Sequence, residues 1–202
     1  YLDKVGITSE EFYAEIEHGT EPPKTSQPPP GDFRRQFEFL GSHHSAVVSI
    51  NLSSRVSGTC AAAQTAAART TTHGAVSVID TGNVSAGQGL IAMYAAECAA
   101  AGYDADRIIA ATKAILPKTR SFGVAGSLEY AVRGGRVPRW VKRVADALRV
   151  MPVLHNDPGG RISAGGVLFG RHDLRSKFAR WVRRRMREDV TYRMIVGHAN
   201  CE

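Results

Sequence analysis

Three short stretches of this sequence bring together residue types able to hold an anion. The first is Ser53-Ser54-Arg55-Val56-Ser57-Gly58-Thr59. Two hydroxyls flank a glycine just before an alanine-rich run. A helix opening there leaves its first amides without internal partners and adds the positive end of its dipole. Hydroxyls and free amides so placed suit a carboxylate or a phosphate. The same residues serve equally as a plain helix cap, with Ser57 or Thr59 accepting from the first turn. The second stretch, Thr25-Ser26-Gln27-Pro28, is another hydroxyl-rich loop ahead of a helix, and turn plus cap is its simpler account. The third, residues 82–89 (GNVSAGQG), offers backbone amides with Asp80 before it. It fits neither GxxxxGK[ST] nor GxGxxG, so no nucleotide site follows.

Nucleophilic chemistry is the competing possibility. Ser57, Asp80 and His198 all fall near expected strand ends, which would permit a hydrolase or acyltransferase. Ser57 is not in a GxSxG elbow, however, and nothing in the sequence sets His198 beside it. His43 and His44 read as solvated loop residues. There is no HExxH and no paired-carboxylate pattern. Cys60, Cys98 and Cys201 lie far apart and no two have metal-ligand spacing, so neither metal nor cofactor is expected. Arg180, Arg183, Arg184, Arg185 and Arg187 form a cluster. It reads as a solvated helix face, with a nucleic-acid surface as the alternative.

The elements that must carry these loops alternate strand, loop and helix. Residues 46–52 (AVVSINL) form a short β-branched run, a buried strand; 60–70 are an alanine-rich helix; 76–80 (VSVID) are the next strand and 90–101 the next helix. Strand starts about 30 residues apart fit a βαβ crossover and hence parallel pairing. In open parallel sheets ligands bind beyond the carboxyl ends of the strands, where the first loop falls. Earlier, Thr8-Ser9-Glu10-Glu11 is a capping box, and Pro30-Gly31-Asp32 opens a second helix. Later come a helix over 104–116, a strand over 120–124, and a short helix over 127–132 closed by Gly134-Gly135. A hairpin follows, from 152–155 and 161–169 around Asp157-Pro158-Gly159-Gly160, then a helix over 171–188 and a strand over 192–196. The last helix should bury Leu174, Phe178, Trp181, Val182 and Met186 on one stripe. The fold class is therefore α/β: a parallel-sheet domain with flanking helices over residues 1–120, then a smaller α+β domain with antiparallel strands over 121–202.

Composition bounds the rest. The 202 residues are 43% hydrophobic and 22% charged, enough to bury a core. No run approaches the roughly 18–20 apolar residues of a membrane helix, and no secretory signal pattern stands at the start. Three scattered cysteines fit a reducing cytoplasm. The net charge of +7 admits an acidic ligand, a nucleic acid or an anionic surface as partner.

Taken in order, the motifs resemble one family. Thr25-Ser26-Gln27-Pro28-Pro29-Pro30-Gly31-Asp32-Phe33 is similar to the TSQPSPGDF signature of DegV proteins, and Ser57-Gly58-Thr59 to their SGT loop. Asp80-Thr81 with Ser85, Gly87 and Gly89 resembles DS…S.G.G. Leu128-Glu129-Tyr130 with Gly134-Gly135-Arg136-Val137 resembles LEYL..GGRI. Pro152-Val153-Leu154 with Gly160 resembles the family's hairpin, and Arg171 its post-hairpin arginine. The resemblance implies a bacterial, cytoplasmic, non-enzymatic acyl carrier of the two-domain DegV fold. Its ligand would be a long-chain fatty acid held between the domains. Its partner in some bacteria is a separate fatty-acid kinase making acyl phosphate, a phospholipid precursor; no nucleic acid and no integral membrane association are implied. Thr25 and Ser57 match the hydroxyls that bind the carboxylate, with Ser26, Gly58 and Thr59 beside them, and Arg171 falls near an arginine of the kinase encounter.

The family pattern also contains a first strand ending in a TDS-type loop and a late HTGPG motif whose His serves the carboxylate. Tyr1-Leu2-Asp3 aligns after the first and Glu202 stops before the second. The expectation is a truncated chain, less stable and weaker in lipid binding than one extended at both ends. His198 resembles an internal family His rather than the HTGPG one, and Met151 replaces the usual Lys before the hairpin Pro.

Overall fold

The computed structural model describes residues 6–18, 24–170 and 172–199. In chain order come α1 (Ser9–His18), α2 (Pro30–His43), β1 (Ala46–Asn51), α3 (Thr59–Ala67), β2 (Ala75–Asp80), α4 (Ser85–Ala100) and α5 (Ala105–Ile115). Next follow β3 (Phe122–Val124), α6 (Glu129–Arg133), α7 (Arg139–Ala147), β4 (Val150–Asn156), β5 (Ile162–Phe169) and α8 (Leu174–Arg183). The capping box at α1 forms in both directions: Thr8 N–H donates to Glu11 Oε2 at 2.8 Å, and Glu11 N–H to Thr8 Oγ1 at 3.2 Å.

β1 and β2 pair in parallel, from Ala46 opposite Ala75 to Asn51 opposite Asp80. Period-2 alternation gives the pair two apolar faces, and helices cover both. Val47, Val76 and Val78 pack with Phe33 and Phe37 of α2 and with Ala63 and Ala66 of α3. Val48 and Ile50 face the other way, onto Ala95 and Cys98 of α4 and Ile108 of α5. Alanine suits α3 twice over: it is the best helix former, and its small side chain lets the helix lie close to the sheet while Phe37 fills the remaining volume. The valines are half-buried rather than fully buried as expected.

The second sheet is antiparallel, in the order β3-β4-β5. β4 is the central strand and is buried on both faces. Val150 and Leu154 pack with Leu128, Val137 and Ala145 under α6 and α7. Met151 and Val153 pack with Leu168, Phe178 and Trp181 under α8. Complete burial of a side chain such as Val153 stabilises by about 1.5–3 kcal/mol over exposure.

Several expectations need correction. α4 begins at Ser85, five residues early, inside what reads as a glycine loop. Gly87 sits inside this helix as a packing glycine, because the side chains of Ser121 and Asn83 lie where its Cβ would stand. α7 was not expected at all. Trp140, Val141, Val144, Ala145 and Leu148 recur at helical spacing as one apolar stripe, of which Val141 and Ala145 face the core while Trp140, Val144 and Leu148 stay exposed. α8 keeps Leu174, Phe178 and Trp181 on the sheet but ends at Arg183. His43 closes α2 instead of lying in a loop, and its Nδ1 lies 2.8 Å from the Phe39 carbonyl. The run 192–196 forms no strand among the described residues; Arg193 ties it to α4 through both carboxylate oxygens of Glu97, at 2.7 Å each.

One buried group is left without a partner among the described residues. Thr112 of α5 is fully buried and its Oγ1 makes no hydrogen bond. Removing an unpaired buried hydroxyl while keeping the shape recovers its desolvation cost. Thr112→Val should therefore raise unfolding stability by about 1 kcal/mol in urea denaturation. A loss of stability instead would mean that the hydroxyl is satisfied in solution.

Candidate functional site at the strand ends

A buried polar network fixes the carboxyl ends of β1 and β2. Thr81 donates its N–H and Oγ1 to the Asn51 carbonyl, at 3.0 and 2.8 Å. Ser53 N–H donates to the Asn83 carbonyl at 2.8 Å. The Asp80 carboxylate accepts from the amides of Ser54, at 3.2 Å, and Gly82, at 2.9 Å, and so locks the two strand-end loops together. Asp80 is thereby a loop tie, and no hydrogen bond joins it to Ser57 or to the exposed His198 among the described residues.

On this base stands the 53–59 loop. Ser57 Oγ lies 2.8 Å from Thr59 Oγ1 and accepts from the Thr59 amide at 3.3 Å. Gly58 occupies the N-cap position of α3 and supplies no side-chain cap. The expected capping is thus partial: Ser57 reaches one amide through a long bond, and both hydroxyls stay half-buried and open to a further acceptor. Behind them Cys60 is buried, and burial first, with the Asp80 charge second, pushes its thiol pKa up. It stays a neutral thiol and adds no second nucleophile.

The two hydroxyl loops meet. Gly58 has an ordinary φ of −72°, so its backbone does not require glycine. The Gln27 carboxamide, the far end of an exposed side chain, lies where a Cβ would stand, with its Cδ and Nε2 both 2.6 Å from that position, so a larger residue here would displace it. Thr25 and Ser26 are exposed and make no hydrogen bond with a described residue. Arg171 lies outside the described residues.

The antiparallel half closes over the same ends. Ser53 Oγ donates to the Gly160 carbonyl at the hairpin tip, at 2.7 Å, and Ser121 Oγ donates to Asn83 Oδ1 at 2.9 Å. Gly160 has φ +79°, and a Cβ there would stand 2.6 Å from Ser53 Oγ and 3.1 Å from Gly82 Cα. Glycine is required on both counts. On the exposed side Arg136 donates from Nε to the Val56 carbonyl at 3.3 Å, bringing a guanidinium beside the loop. Sequence reasoning missed Gln27, Ser53, Asn83 and Arg136 as parts of this site. Ser53, Gln27 and Asn83 fall within the three anion-suited stretches and Arg136 within the family-like Gly134-Gly135-Arg136-Val137 run, but only the fold shows what each touches. A separate cavity of about 690 Å³ lies at the start of β4, lined by Leu128, Lys142, Arg149, Met151 and His172 among others, and shares no residue with the cradle.

Fold and site together define a two-sheet α/β protein with a hydroxyl-lined helix N-terminus at its parallel strand ends, covered by a β-hairpin tip. The chain belongs to the DegV family, whose family model, described as an uncharacterised protein family, matches residues 1–202. A DegV domain-containing protein of Staphylococcus aureus (strain COL) is 33% identical over 159 residues, 79% of this chain and 56% of that protein. Among solved structures, a fatty-acid-binding DegV family protein from Thermus thermophilus is 31% identical with a TM-score of 0.78, over 91% of this chain and 65% of that one. DegV of Bacillus subtilis, a fatty-acid-binding protein, is 28% identical with a TM-score of 0.77, over 92% and 65%. The chain thus spans 56% of that Staphylococcus relative and 65% of each of these two structures. Among the described residues, no helix is long and apolar enough to cross a membrane.

The hairpin tip carries its own titratable group. Asp157 Oδ1 accepts from the Arg161 amide at 3.0 Å and Oδ2 from Ser163 Oγ at 3.1 Å. The Arg161 amide is the main cause holding this carboxyl below its ordinary pKa. A depressed folded value means stabilisation that is complete above the unfolded value, about pH 4, and is lost as pH falls through the folded one. Asp157→Asn should thus be less stable than the parent at neutral pH, with the gap closing on acidification, by urea denaturation across pH. A gap independent of pH would show that shape and not charge makes the difference.

Proposed function

We propose that this chain binds a long-chain fatty acid without catalysis, its carboxylate held at the start of α3 and its tail buried between two domains, residues 1–120 and 121–202. The observation that carries the reading is the Ser57–Thr59 hydroxyl pair, half-buried beside an N-cap glycine that supplies no side-chain cap, with the Thr25-Ser26-Gln27 loop against it. Relatives named as fatty-acid-binding support it. In this reading Ser57, Thr59 and Thr25 donate to the carboxylate, Ser26 and Gly58 shape the loop contact, and the helix dipole favours the charge.

The energetics assign different tasks to head and tail. A ~16-carbon chain buried at ~0.8 kcal/mol per CH₂ gives a gross term of about 12 kcal/mol. Each charge-assisted hydrogen bond adds about 1.5–3 kcal/mol. The tail therefore sets affinity and the head-group contacts set orientation. The absence of an imidazole or carboxylate bonded to Ser57 among the described residues favours binding over hydrolysis. The proposal extends to a cytoplasmic setting in which a fatty-acid kinase receives the bound carboxylate, with Arg171 on the docking face.

Thr25→Ala and Ser57→Ala should each weaken palmitate binding by about 1–3 kcal/mol, and hexadecanol binding by less, without lowering the melting temperature. Displacement of a fluorescent fatty acid measures this; equal losses for acid and alcohol would reduce the hydroxyls to helix caps.

Arg171→Ala should leave palmitate affinity within about twofold while slowing acyl-phosphate formation by the kinase, because surface charges act mainly on encounter. Impaired lipid binding with normal phosphorylation per bound lipid would remove Arg171 from the docking face.

A further inference from the structure

Gln27 is exposed, yet its carboxamide is packed flat against a backbone position kept free of a side chain. All three atoms nearest the missing Cβ of Gly58 belong to that group, namely Oε1, Cδ and Nε2. The amide makes no hydrogen bond with a described residue, so its two N–H donors and its carbonyl are unspent. The residue it lies against, Gly58, is the N-cap of α3, between Ser57 and Thr59 in sequence. The backbone on either side is stiff: Pro28 and Pro29 follow, and Pro30 opens α2.

We infer that Gln27 is the residue that reads the charge of the ligand's head group. Its Nε2 donates to one carboxylate oxygen while the Ser57–Thr59 pair serves the other. This rests on the fatty-acid reading of the same site and deepens it by naming what discriminates acid from neutral lipid. The amide rotates about its last bond to present nitrogen to an anion, whereas a hydroxyl head group is satisfied by either end. Glutamate has the same shape, and its negative charge would meet the ligand's own at contact distance.

The test compares wild type, Gln27→Glu and Gln27→Met with two probes of equal chain length, palmitate and 1-hexadecanol, at neutral pH. Gln27→Glu should weaken palmitate by about tenfold or more, and hexadecanol by less than about threefold. Gln27→Met keeps the packing on Gly58 and loses the donor, so palmitate should weaken by about three- to tenfold. Urea denaturation checks that each variant is folded, and any unfolded variant leaves the other to decide. Gln27→Glu binding palmitate within about twofold of wild type, or losing both probes equally, overturns the inference. Where wild type binds palmitate and Ser57→Ala weakens it, such a result overturns only the role of Gln27. A wild-type chain that takes no palmitate overturns the fatty-acid reading and this inference together.

Discussion

The hydrogen bond from Ser53 Oγ to the Gly160 carbonyl, at 2.7 Å and fully buried on the serine side, is the contact on which the site depends. It joins the end of a parallel strand to the tip of an antiparallel hairpin 107 residues later in sequence. Two glycines make it possible, because Gly160 and Gly82 approach backbone to backbone and a side chain on Gly160 would strike both Ser53 and Gly82. A buried donor left unpaired costs about 1–3 kcal/mol, so the two sheets are held in one relative position at this point. Everything else in the cradle is positioned from that fixed end.

The polar groups around the joint divide into spent and unspent. Asp80, Thr81, Asn83 and Ser121 have their capacity used by backbone amides, carbonyls or one another. Such groups hold loops in place and have little left for a ligand. Ser57, Thr59 and Gln27 are different: the hydroxyls share one bond and the amide has none among the described residues. A rigid, satisfied base carrying a few half-buried, under-used donors is suited to orienting an anion. Nucleophilic attack needs a base aligned on the serine, and no imidazole or carboxylate is bonded to Ser57 among the described residues.

Much of the architecture was legible because it follows from local rules. The β-branched runs at 46–52 and 76–80 and the alanine-rich helix between them carry the parallel pair. Asp157-Pro158-Gly159-Gly160 announces the hairpin, and Thr8 with Glu11 the first helix. The failures have physical causes too. Gly87 reads as loop but is a packing glycine inside α4. α7 is the exception, since Trp140, Val141, Val144, Ala145 and Leu148 carry a clear helical period that was legible in the sequence. The run at 192–196 has strand composition, but composition does not supply a partner edge. Within the site, hydroxyl types and their place after a strand were readable; the apposition of Gln27 on Gly58 and of Arg136 on Val56 was not, because each is a long-range contact.

The proposed head-group site lies at this junction and not in the cavity at the start of β4. The cavity is bordered by Lys142, whose charge is already met by Asp146 and Glu129, and by exposed arginine and histidine side chains. Among the described residues, no hydrogen bond there joins one lining donor to a second. At the strand ends the Asp80 ties set the 53–59 loop, the loop sets Ser57, and the Gln27 carboxamide lies against Gly58. Orientation of a small charged group depends on such chains of fixed contacts more than on volume, since a donor displaced by an ångström loses most of its hydrogen bond. A long apolar tail has no such demand and needs only surface to bury. A protein that must hold one end of an amphiphile in register can therefore concentrate its polar geometry at a single joint.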